Sequence, residues 1–177
     1  DGGLTFSVRQ SGVMDGLLYF DLSSISPMAL VEEAKLKLYA TYRTNGNTLY
    51  LSAYPLEEWW WDGDVTWNTA PAAGDSAAAT MVLDGVNVEI ELDVTALVQS
   101  WVSDPWNNYG LLLSGDGAKA VEYTFIASEF SQESAGPSYP MLEVTFRYTP
   151  PTQLTLLHNN DGETDLLPEG DFGSVAH

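Results

Sequence analysis

Residues Leu92–Leu113 read LDVTALVQSWVSDPWNNYGLLL, and this stretch decides the fold. The run leading into it, Val86-Asn87-Val88-Glu89-Ile90-Glu91-Leu92, alternates apolar and polar side chains with the period of a half-buried strand. Asp93 follows as a helix N-cap. Leu97, Val98 and Trp101 then share one helical stripe, so one or two turns can plug an apolar edge. Asp104-Pro105 stops those turns, Asn107-Asn108 bends the chain, and Tyr109-Gly110-Leu111-Leu112-Leu113 opens an apolar strand. Strand, plug, bend and buried strand make the corner of a β-sandwich, a unit built for packing rather than catalysis.

The same period extends in both directions. Leu4–Arg9 and Leu17–Leu22 read as strands, and Ser23-Ser24-Ile25-Ser26-Pro27 as a turn. Val31–Ala34 enters a long alternating strand through Tyr42; helical propensity over Ala29–Lys37 competes with it and loses to the period of two. Asn45-Gly46-Asn47 signals a hairpin with Thr48–Tyr54 returning. Met81–Leu83 precedes the Asp84-Gly85 turn, and Val121–Ala127 and Met141–Tyr148 are further strands. Eight or nine short strands at these intervals predict an all-β, antiparallel jelly-roll sandwich over residues 1–148. A stiff Pro-containing linker (149–153) follows. Residues 154–177 hold a C-terminal extra strand ending at His158 and a polar tail.

Composition narrows the function. Six Lys and Arg face 25 Asp and Glu, a net charge of −19, so no basic surface exists to release counterions from nucleic acid. A polyanionic sugar is disfavoured for the same reason. No apolar run reaches the roughly 20 residues of a membrane span. The absence of Cys excludes disulfides and thiolate metal sites. Neither His158 nor His177 lies within the sandwich, so a hydrolytic triad has no base there. With 25 acids, a pair of carboxylates placed for glycoside hydrolysis can be drawn almost at will and signals nothing.

The blocks LLYFDLSSI, AKLKLYAT, WWDGDVTWNTAP, IELDVTALVQSWVSDPWNNYGLLLSG, TFIASEF and PMLEVTF, over about residues 17–146, resemble the DNRLRE domains, which overlap the family 96 carbohydrate-binding modules. The resemblance implies a jelly-roll sandwich without catalytic activity, in secreted bacterial or archaeal proteins, with glycans such as alginate as ligands of its assigned members. The net charge speaks against alginate here. Such domains normally begin with one more strand before the one that Leu4–Arg9 matches, which implies an open edge. The tail LTLLHNNDGETDLLPEGDFGSVAH resembles the opening of a secreted 5′-nucleotidase-type metallophosphoesterase. Asp161 matches the Asp of that family's Asp-x-His metal motif, and Glu163 stands where the His would be.

Three groups of residues are candidates for function. Trp60 and Trp67 match recurring family tryptophans and are expected in the core. Trp59 and Trp61 then face the other way, as a platform for stacking on a sugar ring. Asp62, Asp64 and Asp116 lie in Gly-containing loops whose oxygens suit Ca²⁺, though the spacing is not that of an EF-hand, and a solvated loop is the simpler expectation. Leu154, Leu156 and Leu157 belong to a strand that cannot order alone and must pair with a sheet edge, its own or that of a second copy. Donation to a neighbour builds open-ended filaments. The sequence is thus expected to encode a non-enzymatic extracellular structural or adhesive subunit that polymerises by donor-strand exchange. The alternative is a carbohydrate-binding module appended to a secreted enzyme.

Overall fold

A single strand of 15 residues, Ala29–Arg43, organises the molecule. The computed structural model describes residues 4–66, 68–127 and 139–148, with two short segments beyond, Leu157–His158 and Thr164–Asp165. In chain order the strands are β1 (Thr5–Arg9), β2 (Gly16–Leu18), β3 (Ala29–Arg43), β4 (Leu49–Pro55), β5 (Ala79–Leu83) and β6 (Val88–Asp93). Helix α1 (Thr95–Ser103) and a 3-10 turn (Pro105–Asn107) lead to β7 (Leu111–Asp116), β8 (Glu122–Ile126) and β9 (Met141–Tyr148). One sheet runs β1-β8-β3-β6 and the other β2-β7-β4-β5, every pair antiparallel. That is the jelly-roll order. It is also the all-β sandwich that the alternating sequence predicts.

The inward residues of each strand make one core: Leu36, Leu38 and Ala40 of β3 face Leu49, Leu51 and Ala53 of β4, with Tyr123, Phe125, Leu111 and Leu113 between. Each fully buried Leu or Phe contributes roughly 1.5–3 kcal/mol relative to exposure. The outer face of the first sheet is a charge ladder. Lys37 lies 2.6 Å from Glu143 and 3.4 Å from Glu91, and Lys35 lies 3.1 Å from Glu33.

Helix α1 is the expected plug, and the backbone shows why it is needed. β6 covers β3 only from Lys35 to Ala40. Before that point α1 takes over. The Val94 N–H donates to the Ala34 carbonyl (2.9 Å), Ala34 N–H to Thr95 Oγ1 (2.9 Å), and Val31 N–H to Gln99 Oε1 (2.8 Å). Leu97, Val98, Trp101 and Val102 are its buried stripe. The helix starts one residue later than the sequence suggests, with Val94 as N-cap. Asp93 still accepts from the Thr95 N–H at 3.0 Å and from its hydroxyl at 2.6 Å, and these bonds hold its carboxyl below the usual range.

Two expectations about connection are corrected. Asn45-Gly46-Asn47 does not close a hairpin, because β3 and β4 lie in different sheets. Both edges of β3 are already occupied, Ala40 pairing with Val88 on one side and Phe125 on the other. Asn45 and Asn47 instead donate across to the Ala120 carbonyl. Nor is the jelly roll a strand short, since β1 completes its sheet against β8. What is open is narrower: β8 and β9 share one edge of β3 end to end, and the far edge of β9 has no partner strand among the described residues. In the tail, Leu157–His158 pairs with Thr164–Asp165 in a two-stranded sheet of its own. Leu154 and Leu156 lie outside the described residues.

Candidate functional site

A jelly roll gathers alternate connections at the same end, so the segments after β2, β4 and β6 meet. Hydrogen bonds knit them. Asn108 Nδ2 donates to the Phe20 carbonyl (2.9 Å), Trp60 Nε1 to the Tyr109 carbonyl (2.9 Å), and Leu56 N–H to the Gly110 carbonyl (3.0 Å). The turn after Trp61 is fixed by the Asp64 N–H bonding the Trp61 carbonyl (2.9 Å) and by Thr69 Oγ1 donating to the Asp64 carbonyl (2.8 Å).

These bonds set aromatic rings out in solvent. Trp59 is 59% exposed, Trp61 67% and Trp106 87%. Trp59 is braced edge-on by Tyr19, ring centres 5.4 Å apart at 81°. The expected opposition between Trp60 and its two neighbours is present, but in a loop rather than a strand, and Trp60 is half-buried rather than core. Trp67 lies outside the described residues. An indole held open on a rigid loop presents a flat apolar face, which suits the C–H face of a pyranose. Beside this platform a cleft of 350 Å³ runs between the post-β4 segment and α1, lined by Glu57, Leu97, Ser100, Trp101, Asn107 and Tyr109 among others. A smaller one of 100 Å³ has Tyr19, Asp21, Trp101 and Asn108 in its walls.

The electrostatics of this end are one-sided. Its three connections carry seven carboxylates, Asp21, Glu57, Glu58, Asp62, Asp64, Asp75 and Asp104, and neither Lys, Arg nor His. The few cations of the strands are largely engaged. Lys35, Lys37 and Arg147 pair with carboxylates, and Arg43 donates to the Asp84 carbonyl and the Tyr123 hydroxyl.

The three aspartates expected around Ca²⁺ are not brought together. Asp62 and Asp64 lie on the turn after β4, whereas Asp116 ends β7 opposite Tyr50. β7 begins opposite Pro55, so Asp116 lies at the other end of the sheet, roughly 17 Å along at about 3.4 Å per residue. Among the described residues no three His, Cys, Asp or Glu gather closely enough to hold a metal. Sequence reasoning passed over Tyr19, Trp106 and Glu57. Trp106 had a signal, a large aromatic inside the polar bend Asp104-Pro105-Trp106-Asn107-Asn108 where no core could receive it.

Residues 5–145 match the profile of carbohydrate-binding module family 96. The chain belongs to that family. A family 96 assignment describes a binding module rather than a catalytic domain, and it covers the sandwich up to the last three residues of β9, including the loops that carry Trp59, Trp61 and Trp106. It ends before the tail, so the phosphoesterase-like stretch lies outside it. No curated protein matches the chain. No helix among the described residues is long and apolar enough to cross a membrane.

Proposed function

We propose that this family 96 module works outside the cell, without catalysis, by holding a polysaccharide against the Trp59–Trp61 end of the sandwich. The carrying observation is a pair of exposed indoles on hydrogen-bonded loops, one braced by a tyrosine. Stacking needs such pre-set apolar faces, because a flexible ring would lose in conformational entropy what it gains in contact. The phosphoesterase-like tail supports a place beside a secreted enzyme, which the module would keep near its substrate. Native affinity electrophoresis in gels cast with candidate polysaccharides tests the proposal. The wild type should be retarded in at least one gel, and the variant with both Trp59→Ala and Trp61→Ala should migrate freely while melting within a few degrees of wild type. Equal retardation of both proteins contradicts it.

One observation favours a second role, that of a structural subunit. β9 is eight residues long with an outer edge unpartnered among the described residues, and its Phe146 and Tyr148 are about half exposed. Such an edge invites strand addition, and the run Leu154–Leu157 of a second copy is a suitable donor once Leu157 leaves its short pairing with Asp165. Filaments built this way should disappear when the chain is cut after Tyr148. Light scattering that shows undiminished assembly of the truncated chain would rule donation out.

A further inference from the structure

Resting on the glycan-binding role just given, we propose that the ligand is cationic, a polymer of amino sugars with free protonated amines, and that one sugar unit sits in the 350 Å³ cleft with its ammonium on Glu57. The cleft volume lies in the range of sites that take a small molecule, near its lower end, as a single ring requires. Its lining divides by chemistry. Leu97, Trp101 and Tyr109 supply apolar surface, the Ser100 hydroxyl and Asn107 amide oxygens acceptors for ring hydroxyls, and Glu57 the single charge. Glu57 is exposed and leads directly into Trp59 through Glu58, whose own carboxylate is occupied by the Ala72 N–H at 2.8 Å. Asp21 and Asp104 likewise give one oxygen each to a local bond, with the Ser23 N–H and the Asn107 amide, and neither lines this cleft.

A polyuronate approaching these connections would meet their seven carboxylates, with Arg147 near the start of β3 already paired to Glu32 at 3.1 Å, and most of its own charges would be repelled. A neutral glycan would be tolerated but would leave the acidity unused. The ammonium on Glu57 gains from the carboxylate, and those of neighbouring sugar units can gain from the faces of the exposed indoles, which attract cations within about 6 Å of the ring centre.

Isothermal titration of the full chain separates these cases, with three oligomers as probes: fully deacetylated glucosamine, its N-acetylated counterpart, and a uronate of equal length. The deacetylated oligomer should bind at least about tenfold more tightly than the N-acetylated one, and should lose about tenfold with Glu57→Gln, the factor expected when a charge-assisted hydrogen bond is removed. Its affinity should also fall as pH rises through the amine's pKa. Glu89→Gln removes the same charge from an exposed position on the outer face of the first sheet and should change nothing. If Glu89→Gln weakens binding as much as Glu57→Gln, the attraction is bulk charge and the inference is wrong. Trp-dependent binding that is equal for both glucosamine forms, or stronger for the uronate, also overturns it while leaving the glycan role intact. If none of these oligomers binds, the inference falls, and the proposed function falls with it only if no polysaccharide gel retards the chain.

Discussion

Trp60 and Asp15 carry the clearest residue-scale consequences. Trp60 ties the aromatic loop to the bend before β7 through its indole N–H. Trp60→Phe keeps the ring and loses that bond, which should cost about 1 kcal/mol and move the melting temperature by roughly 2–4 °C in calorimetry. Asp15 is strained in the opposite sense. One carboxylate oxygen is buried without a partner, and desolvation raises its pKa despite the hydrogen bond from Ser114. A raised carboxyl pKa adds stability at low pH that is lost as pH rises through the folded value. Asp15→Asn should therefore raise the melting temperature at neutral pH and leave it unchanged in acid below the ordinary carboxylate range. An unaltered melting temperature at neutral pH would contradict this. The exposure of Trp59 and Trp61 on either side of a more buried Trp60 was legible in the sequence, because neighbouring side chains face opposite ways along an extended segment. Asp15 was not, since its burial is set by Gly12 and Ser114, a residue a hundred positions away.

Among elements, the plug α1 and the bend after it hold the sandwich edge. Gln99 acts as a stand-in strand: its side chain accepts from the Val31 N–H and donates to the Ala29 carbonyl. Gln99→Leu keeps the bulk and strands both backbone groups, so it should cost about 1–3 kcal/mol in denaturant unfolding. Gly110 has φ of +89°, and an added Cβ would run into the Leu18 backbone, so Gly110→Ala should destabilise by more than the roughly 1 kcal/mol that the same change adds where the backbone permits it. The helix was readable from the spacing of Leu97, Val98 and Trp101. The partnership of β3 was not. Asn45-Gly46-Asn47 carries every local mark of a hairpin, yet the competition for β3's edges is decided by β6 and β8, far along the chain. Period two gives strands and their faces but is silent on which sheet a strand joins.

For the molecule as a whole, net charge and its arrangement dominate. Asp21, Asp93 and Glu143 have carboxyl groups held below their usual values by hydrogen bonds, Glu143 through Lys37 and the other two through Ser23 and Thr95. Their contribution is complete above the ordinary carboxylate range and lost as pH falls through the lowered values. Lys35 and Lys37 are raised by Glu33, Glu91 and Glu143, so theirs is lost in strong alkali. Stability should therefore be broad around neutrality and decline below about pH 4. At neutral pH, adding about 0.15 M salt, where the Debye length is about 8 Å, should raise the melting temperature by screening 19 excess negative charges. The same imbalance sets what can approach the aromatic end. The most direct test of the glycan role is two-dimensional NMR of the indole N–H groups during titration with a retarded oligosaccharide. Trp59 and Trp61 should shift saturably while Trp60, whose N–H is tied to the Tyr109 carbonyl, moves little. Saturable binding that leaves both exposed indoles unmoved would contradict the account.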